Sequence, residues 1–331
     1  MTFTVGSLYA GIGGIDKGMK QAGFQISWAN EFDEKACETY RMNHTSSNLI
    51  EEDIYQLNLT NLPKVDVLAA GFPCQPFSVA GYRKGFADER GNHFMRIMEI
   101  VDVLKPTVIF LENVKNFKNH DKKRTYEVMT REIMSRGYWF KDTIMNTADY
   151  GNIPQNRERF FLIAFNNEKM TQKFRFPGKM PLITTIHDFI DHEKVEEKFY
   201  YTSKSVIYER IVDEIVKRDT LYQWRRKYVR ENKSKMCPTL TANMGTGGHN
   251  VPLLLTSDGI RKLTPLECFR FQGFYDIRFP EDISASHLYK QAGNSVSVPV
   301  IQRIAENIMT VLERSEKDKL HVTREIPAES D

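Results

Sequence analysis

Val5-Gly6-Ser7-Leu8-Tyr9-Ala10-Gly11-Ile12-Gly13-Gly14-Ile15-Asp16 is a short β-prone run that breaks into a glycine-rich turn and resumes with helical spacing. A strand, a glycine turn and a helix N-terminus in that order form the first unit of an open α/β sheet. The pattern repeats outward from it. Residues 25–30, 65–70, 107–111 and 160–165 are short runs rich in β-branched or aromatic residues, and helical patterns over 33–42 and 92–104 lie between them, the latter closed by Lys105-Pro106. Strands joined by helix-length crossovers predict a parallel sheet covered on both faces, with ligands outside the carboxyl ends of its strands.

After Phe165 the rhythm is lost. Residues 170–280 mix Pro, Gly, charge and aromatics and are read as a second, smaller domain. A helix returns over 299–312, with Val300, Ile301, Ile304, Ile308, Val311 and Leu312 on one face and Pro299 in its first turn. This helix is expected to rejoin the first domain, so that residues 1–169 and 281–314 form one unit and 315–331 a polar, fraying tail.

Of 331 residues, 41% are hydrophobic and 27% charged, which supports a buried core and excludes general disorder. No apolar run approaches the ~20 residues of a membrane span, and no basic-then-apolar leader is read, so no membrane partner is expected. Cys37, Cys74, Cys237 and Cys268 never fall as C-x-x-C, which suggests no zinc or other metal site, no disulfide framework and a reducing, cytoplasmic setting. Net charge is only +3, yet residues 217–235 hold eight basic and two acidic residues, interleaved with Tyr222, Trp224 and Tyr228. Such a strip, Arg225, Arg226 and Lys227 above all, fits a phosphate backbone; a solvated helix face is the bland alternative.

Chemistry concentrates at the predicted strand ends. The turn reads G-x-G-G rather than the dinucleotide G-x-G-x-x-G, which counts against a dehydrogenase and suits a smaller charged group. Glu31 stands at the end of the second strand, where an acid binds ribose hydroxyls. Gly71-Phe72-Pro73-Cys74-Gln75-Pro76-Phe77-Ser78 follows the third strand and holds Cys74 between prolines in a stiff, extended loop, a setting for a nucleophile. The other three cysteines lack such a setting and are read as structural. Glu112, in Glu112-Asn113-Val114, should face the same crevice and act as an acid if partly desolvated. Arg157 and Arg159, two apart before the strand 160–165, should point the same way and reach one oxygen or phosphate together, or else form two salt bridges.

The ordered set G-x-G-G, Pro-Cys-Gln, Glu-Asn-Val, Gln155-Asn156-Arg157-Glu158-Arg159 and Tyr289-Lys290-Gln291-Ala292-Gly293-Asn294-Ser295-Val296 closely resembles the C5-cytosine DNA methyltransferases of bacterial and phage modification systems, over about residues 4 to 312. The resemblance implies a Rossmann-like S-adenosylmethionine-dependent methyltransferase domain with a target-recognition domain at 170–280. It implies that Tyr9, Gly11, Ile12, Gly13 and Gly14 hold the methionine part, Glu31 the ribose, and Phe32, Asp53 and Ile54 the adenine, with Pro73, Asn294 and Val296 completing the pocket. The family usually has Phe at Tyr9 and an apolar residue at His93.

The mechanism implied is addition of the Cys74 thiolate to cytosine C6, with Glu112 on N3, Arg159 on the O2 side and Arg157 in support, on a base flipped out of double-stranded DNA. The segment 78–96, with Gly81, Gly85 and Gly91, reads as a lid that brings Ser78 and Arg90 to DNA. Thr239 is expected on a phosphate, and the glycine-rich stretch 243–250, with Asn243, Gly245, His249 and Asn250, on base edges, unless it is an ordinary hairpin. A monomer is expected, with any cognate restriction endonuclease acting separately. Two competing readings remain: an RNA cytosine methyltransferase, and a non-catalytic DNA-binding protein, which intact Cys74, Glu112 and Arg159 oppose.

Overall fold

In the computed structural model, which describes residues 2–73, 93–246 and 250–324, the first half of the chain builds one seven-stranded sheet. Its strands are β1 (Thr4–Leu8), β2 (Gln25–Glu31), β3 (Asn48–Glu51), β4 (Val67–Gly71), β5 (Val108–Val114), β6 (Trp139–Asn146) and, after the two-residue β7 (Gln155–Asn156), β8 (Glu158–Phe165). The order is β3-β2-β1-β4-β5-β8-β6. The first five strands are parallel, as expected for β1, β2, β4 and β5, whereas β3 and β6 are not among the runs read from the sequence. The run 160–165 is a correction: β8 lies antiparallel to both β5 and β6. Residues 147–157 return the chain directly from β6 to β8, too few for a crossover, and a strand buried on both faces reads as the same apolar run in either direction.

Side-chain alternation divides the core. Leu68, Ala70, Ile109 and Leu111 face a layer that includes Phe94, Ile97 and Met98 of α3 (His93–Leu104). Val67, Ala69, Val108 and Phe110 face the opposite layer, with Met19 of α1 (Gly14–Gln21) and Ile301, Ile304 and Ile308 of the last helix. Each of these side chains larger than alanine, fully buried, stabilises by about 1.5–3 kcal/mol. Gly18 lets α1 lie against the last helix, since a Cβ there would stand 2.6 Å from Ile301 Cβ. Between these come α2 (Glu34–Asn43), α4 (Arg124–Ser135), α5 (Thr147–Gly151), α6 (Glu168–Lys173), α7 (Tyr208–Ile211), α8 (Pro265–Arg270), α9 (Ala285–Asn294) and α10 (Val298–Arg324). The chain stays helical from 313 to 324, where fraying was expected, and the rest of the expected tail, 325–331, lies outside the described residues. No Gly or Pro interrupts 313–324, Glu, Arg and Lys are good helix formers, and Lys173 reaches Asp318 at 2.8 Å.

A second sheet, β10-β9-β12-β13, is built from β9 (Tyr222–Trp224), β10 (Val229–Glu231), β12 (Leu253–Thr256) and β13 (Gly259–Lys262). It closes over a small core of Tyr222, Trp224, Leu253, Ile260, Ile211 and Ile215. The strip 217–235 is therefore a hairpin and not a helix face. The intervening β11 (Cys237–Pro238) pairs in parallel with β7, tying this region to the first. A further cluster packs Ile12, Ala36 and Ile153 with Leu240, Phe269, Tyr289 and Val298.

Candidate active site

The glycine turn adopts the backbone that its residues permit. Tyr9, Gly11 and Gly13 have φ of 56°, 57° and 83°, a region that costs a side chain of Tyr's size strain. At Gly13 a Cβ would run into the His44 ring, and at Gly14 it would stand 2.6 Å from Ser295 Oγ. Glu31, at the end of β2, locks the turn: its Oε2 accepts from Gly11 N at 2.8 Å, and its Oε1 from Phe32 N and Asp33 N at 2.8 and 2.9 Å. The turn forms one wall of a cavity of about 440 Å³ at the strand ends. Tyr9, Gly11, Ile12 and Gly14 line it, together with Glu31 and an outward Phe32 that is 69% exposed. Pro73, Asn294 and Val296 line it as well.

Three expected cofactor residues stand apart from that lining. Gly13 lies over His44, Ile54 is buried in the core with its carbonyl on Arg96 Nε, and Asp53 Oδ1 accepts from Tyr55 N. Tyr9 and His93, the two departures from the family pattern, meet each other: Tyr9 Oη lies 3.0 Å from His93 Nδ1. Burial holds the imidazole below its usual pKa and the phenol above its own, so the contact joins two neutral groups.

On the opposite wall, Glu112 is 7% exposed and sits in register between Gly71 of β4 and Phe161 of β8. Arg159, two residues along the same face, places Nε 3.2 Å from Glu112 Oε1. Burial pushes the Glu112 carboxyl above the usual carboxylate range, against the pull of Arg159 and Arg157. The expectation that Arg157 and Arg159 reach one substrate atom together is not met. Arg157 is 2% exposed and donates to the carbonyls of Leu240 (2.7 Å), Gly293 (3.1 Å) and Ser295. It clamps its own strand to two chain segments, at Leu240 and at Gly293–Ser295, on the edge of the cavity, which makes it a positioning residue.

Asn113, quoted in the motif but given no role, donates from Nδ2 to Phe72 O at 2.9 Å and so anchors the start of the Pro-Cys loop to β5. Lys290, paired with Asp33 at 2.7 Å, also lines the cavity. Cys74, Ser78, Arg90 and His249 lie outside the described residues. Cys37, Cys237 and Cys268 are buried, and burial pushes their thiols up, Cys37 to about 12, which leaves them inert.

A second cavity, of about 960 Å³, adjoins the first along the chain: Asn156 lines one and Arg157 the other. Thr239, Asn243 and Asn250 border it with Arg225. The Thr239 hydroxyl already donates to Asn156 O at 2.5 Å, which leaves it able only to accept further donors. The glycine-rich stretch is more structural than expected. Met244 is 1% exposed in the core, and a Gly245 Cβ would collide with the Ser286 carbonyl, so this glycine serves the packing of residues 242–245 on α9.

The sequence profile of the C-5 cytosine-specific DNA methylases matches residues 3–310. The chain belongs to this family. It is 52% identical over 308 residues to the type II methyltransferase M.Bsp6I of Bacillus sp. (strain RFL6), covering 92% of this chain and 98% of that one. It is 37% identical to M.HhaI of Haemophilus parahaemolyticus, covering 91% and 92%. Among solved structures, a DNMT2 mutant of Spodoptera frugiperda superposes with a TM-score of 0.72 at 20% identity, over 93% of this chain and all of that one, and S. pombe Dnmt2 with 0.71. These last two share the Rossmann-like fold. The chain is thus a DNA cytosine-5 methyltransferase, and the RNA reading is not favoured.

Proposed function

We propose that this methyltransferase holds S-adenosylmethionine and a flipped-out cytosine of double-stranded DNA side by side in the 440 Å³ cavity, as the modification enzyme of a restriction-modification system. The observation that carries the reading is that one cavity is bounded by the Gly11–Glu31 lock on one wall and the Glu112–Arg159 pair on the other. The residues suit the cofactor. Glu31 Oε2 has one backbone donor and so keeps a lone pair for a ribose hydroxyl, and the exposed Phe32 ring offers a face to a purine. Bound there, the cofactor supplies an electrophilic methyl group.

The chain's own groups do the rest. Cytosine C5 is a poor nucleophile until a thiolate adds to C6; Cys74, three residues beyond the end of β4, is the group to do so. Glu112, its carboxyl raised by burial, carries a proton toward N3 and draws charge out of the ring. Arg159 orients that carboxyl and holds the O2 side. C5, made enamine-like, takes the methyl group, and loss of its proton to solvent re-forms the C5–C6 double bond and expels the Cys74 thiolate. The enzyme acts as a monomer, and any cognate endonuclease is a separate chain.

Bisulfite sequencing of DNA from a host expressing the chain should find protected cytosines at one short motif. Cys74→Ser should abolish that protection while purified variant still binds the demethylated cofactor, and wild type should be trapped on 5-fluorocytosine DNA. Unprotected host DNA, or normal turnover by the serine variant, would refute the reading.

A further inference from the structure

The hairpin β9–β10 has two faces of opposite character. Tyr222, Trp224 and Val229 point into the small core, Val229 standing opposite Trp224. By the two-residue period of a strand, Gln223 and Arg230 point the other way, and they too are register partners. Both line the 960 Å³ cavity with Arg225, which closes the strand and sets Nη2 3.3 Å from Gln223 Oε1. Directly opposed residues hold their Cβ atoms about 5 Å apart, so two guanidinium groups and a carboxamide share one small patch. The only acid lining this cavity among the described residues, Glu231, is neutralised by Lys217 at 2.9 Å, and Lys235 is likewise spent on Asp219. Within the basic strip, Lys217 and Lys235 are paired, Arg226 and Lys227 occupy the turn, and Arg225, Arg230 and Lys233 border the cavity, the two arginines from the hairpin and Lys233 from the chain that leaves it.

We propose that Gln223, Arg225 and Arg230 are the base-reading set of this enzyme, the two guanidinium groups recognising guanine edges in the major groove beside the target cytosine. The inference rests on the DNA methyltransferase reading and deepens it. An arginine fork meets guanine O6 and N7 together in one fixed planar geometry, which the rotatable point charge of a lysine ammonium does not impose. The carboxamide of Gln223, touching Arg225, limits the rotamers of that fork before DNA arrives. Asn156, on the border of this cavity, is followed directly by Arg157 on the border of the first, so a duplex delivering its base to Glu112 lies across the hairpin. Arg225 here reads a base rather than a phosphate, and the phosphate role falls to Arg226 and Lys227.

The test uses the full chain. Once sequencing of host DNA has defined the methylated motif, single-turnover methylation is measured on cognate duplexes carrying 7-deazaguanine at one guanine at a time. At one or two positions the missing N7 should slow wild type about 5- to 100-fold. Arg225→Lys and Arg230→Lys keep the charge and lose the fork. Each should lower the ratio of cognate to mismatched rates at one guanine position by a similar factor, leave the salt slope unchanged, and make the 7-deaza substitution there nearly silent. Uniform tolerance of 7-deazaguanine by wild type would overturn the proposal, as would lysine variants with wild-type ratios at every position. Absence of any methylated motif would instead refute the functional reading itself.

Discussion

Glu112 and Glu267 are both buried carboxylates facing an arginine, and they differ in how fully they are satisfied. Glu267, fully buried in α8, accepts from Arg261 Nη2 and Asp191 N on Oε1, and from Arg261 Nη1 and Thr264 N on Oε2. Four donors at 2.6 to 2.8 Å fill its lone pairs, so it has no capacity left for a ligand. Among the described residues Glu112 has one ionic contact, at 3.2 Å from the Nε of Arg159, and it opens on a cavity. A saturated pair fixes a fold; an unsaturated one, desolvated on one side, keeps a proton to give. Asp16 lies between the two: fully buried, it accepts from Tyr40 Oη at 2.7 Å and faces no cation among the described residues.

The largest effect that would sharpen this contrast is on rate. Glu112→Gln keeps the shape and an acceptor for Arg159 and removes the titrating proton. Single-turnover methylation should fall about 10²- to 10⁴-fold with the thermal midpoint held. A variant that lost stability in proportion to activity would place Glu112 with Glu267. Next, Glu267→Gln leaves Arg261 buried without its counter-charge, and urea unfolding should record a loss of about 3–5 kcal/mol. Its rate per folded molecule, measured below the transition, should stay within about threefold.

The smallest effect concerns Asp16, whose carboxyl burial raises from 3.8 to about 6. The folded state thus holds this proton more tightly than the unfolded chain does. The contribution is complete below pH 3.8 and lost as pH rises through about 6, up to about 3 kcal/mol. Asp16→Asn should flatten that part of the stability profile; an unchanged slope between pH 4 and 6 would show that Asp16 ionises as it does in water.

What could be read in the sequence was whatever depends on local chemistry. The turn at residues 11–14 announced itself through glycines that its positive φ requires, and Glu31 and Glu112 through their place at the ends of apolar runs. Tertiary partners left no such trace. Strand parity gave Arg157 and Arg159 one direction, but nothing near them in sequence specified that carbonyls from residues 240, 293 and 295 would surround only the first. The direction of β8 was hidden because burial on both faces erases alternation. Met244 and Gly245 looked like parts of an open loop because α9, the surface they pack on, comes some forty residues later. The hairpin faces were legible in part: the aromatics at 222 and 224 alternate with Gln223 and Arg225, once a strand is recognised there.

Infrared difference spectroscopy, wild type minus Glu112→Gln, reads the ionisation of this one carboxyl directly. The account predicts a protonated-carboxyl C=O band specific to wild type that persists above the ordinary glutamate value of 4.5 and disappears at higher pH. A band that titrates at or below 4.5 would mean that Arg159 outweighs burial, and that Glu112 meets its substrate already ionised, with no proton to carry to N3.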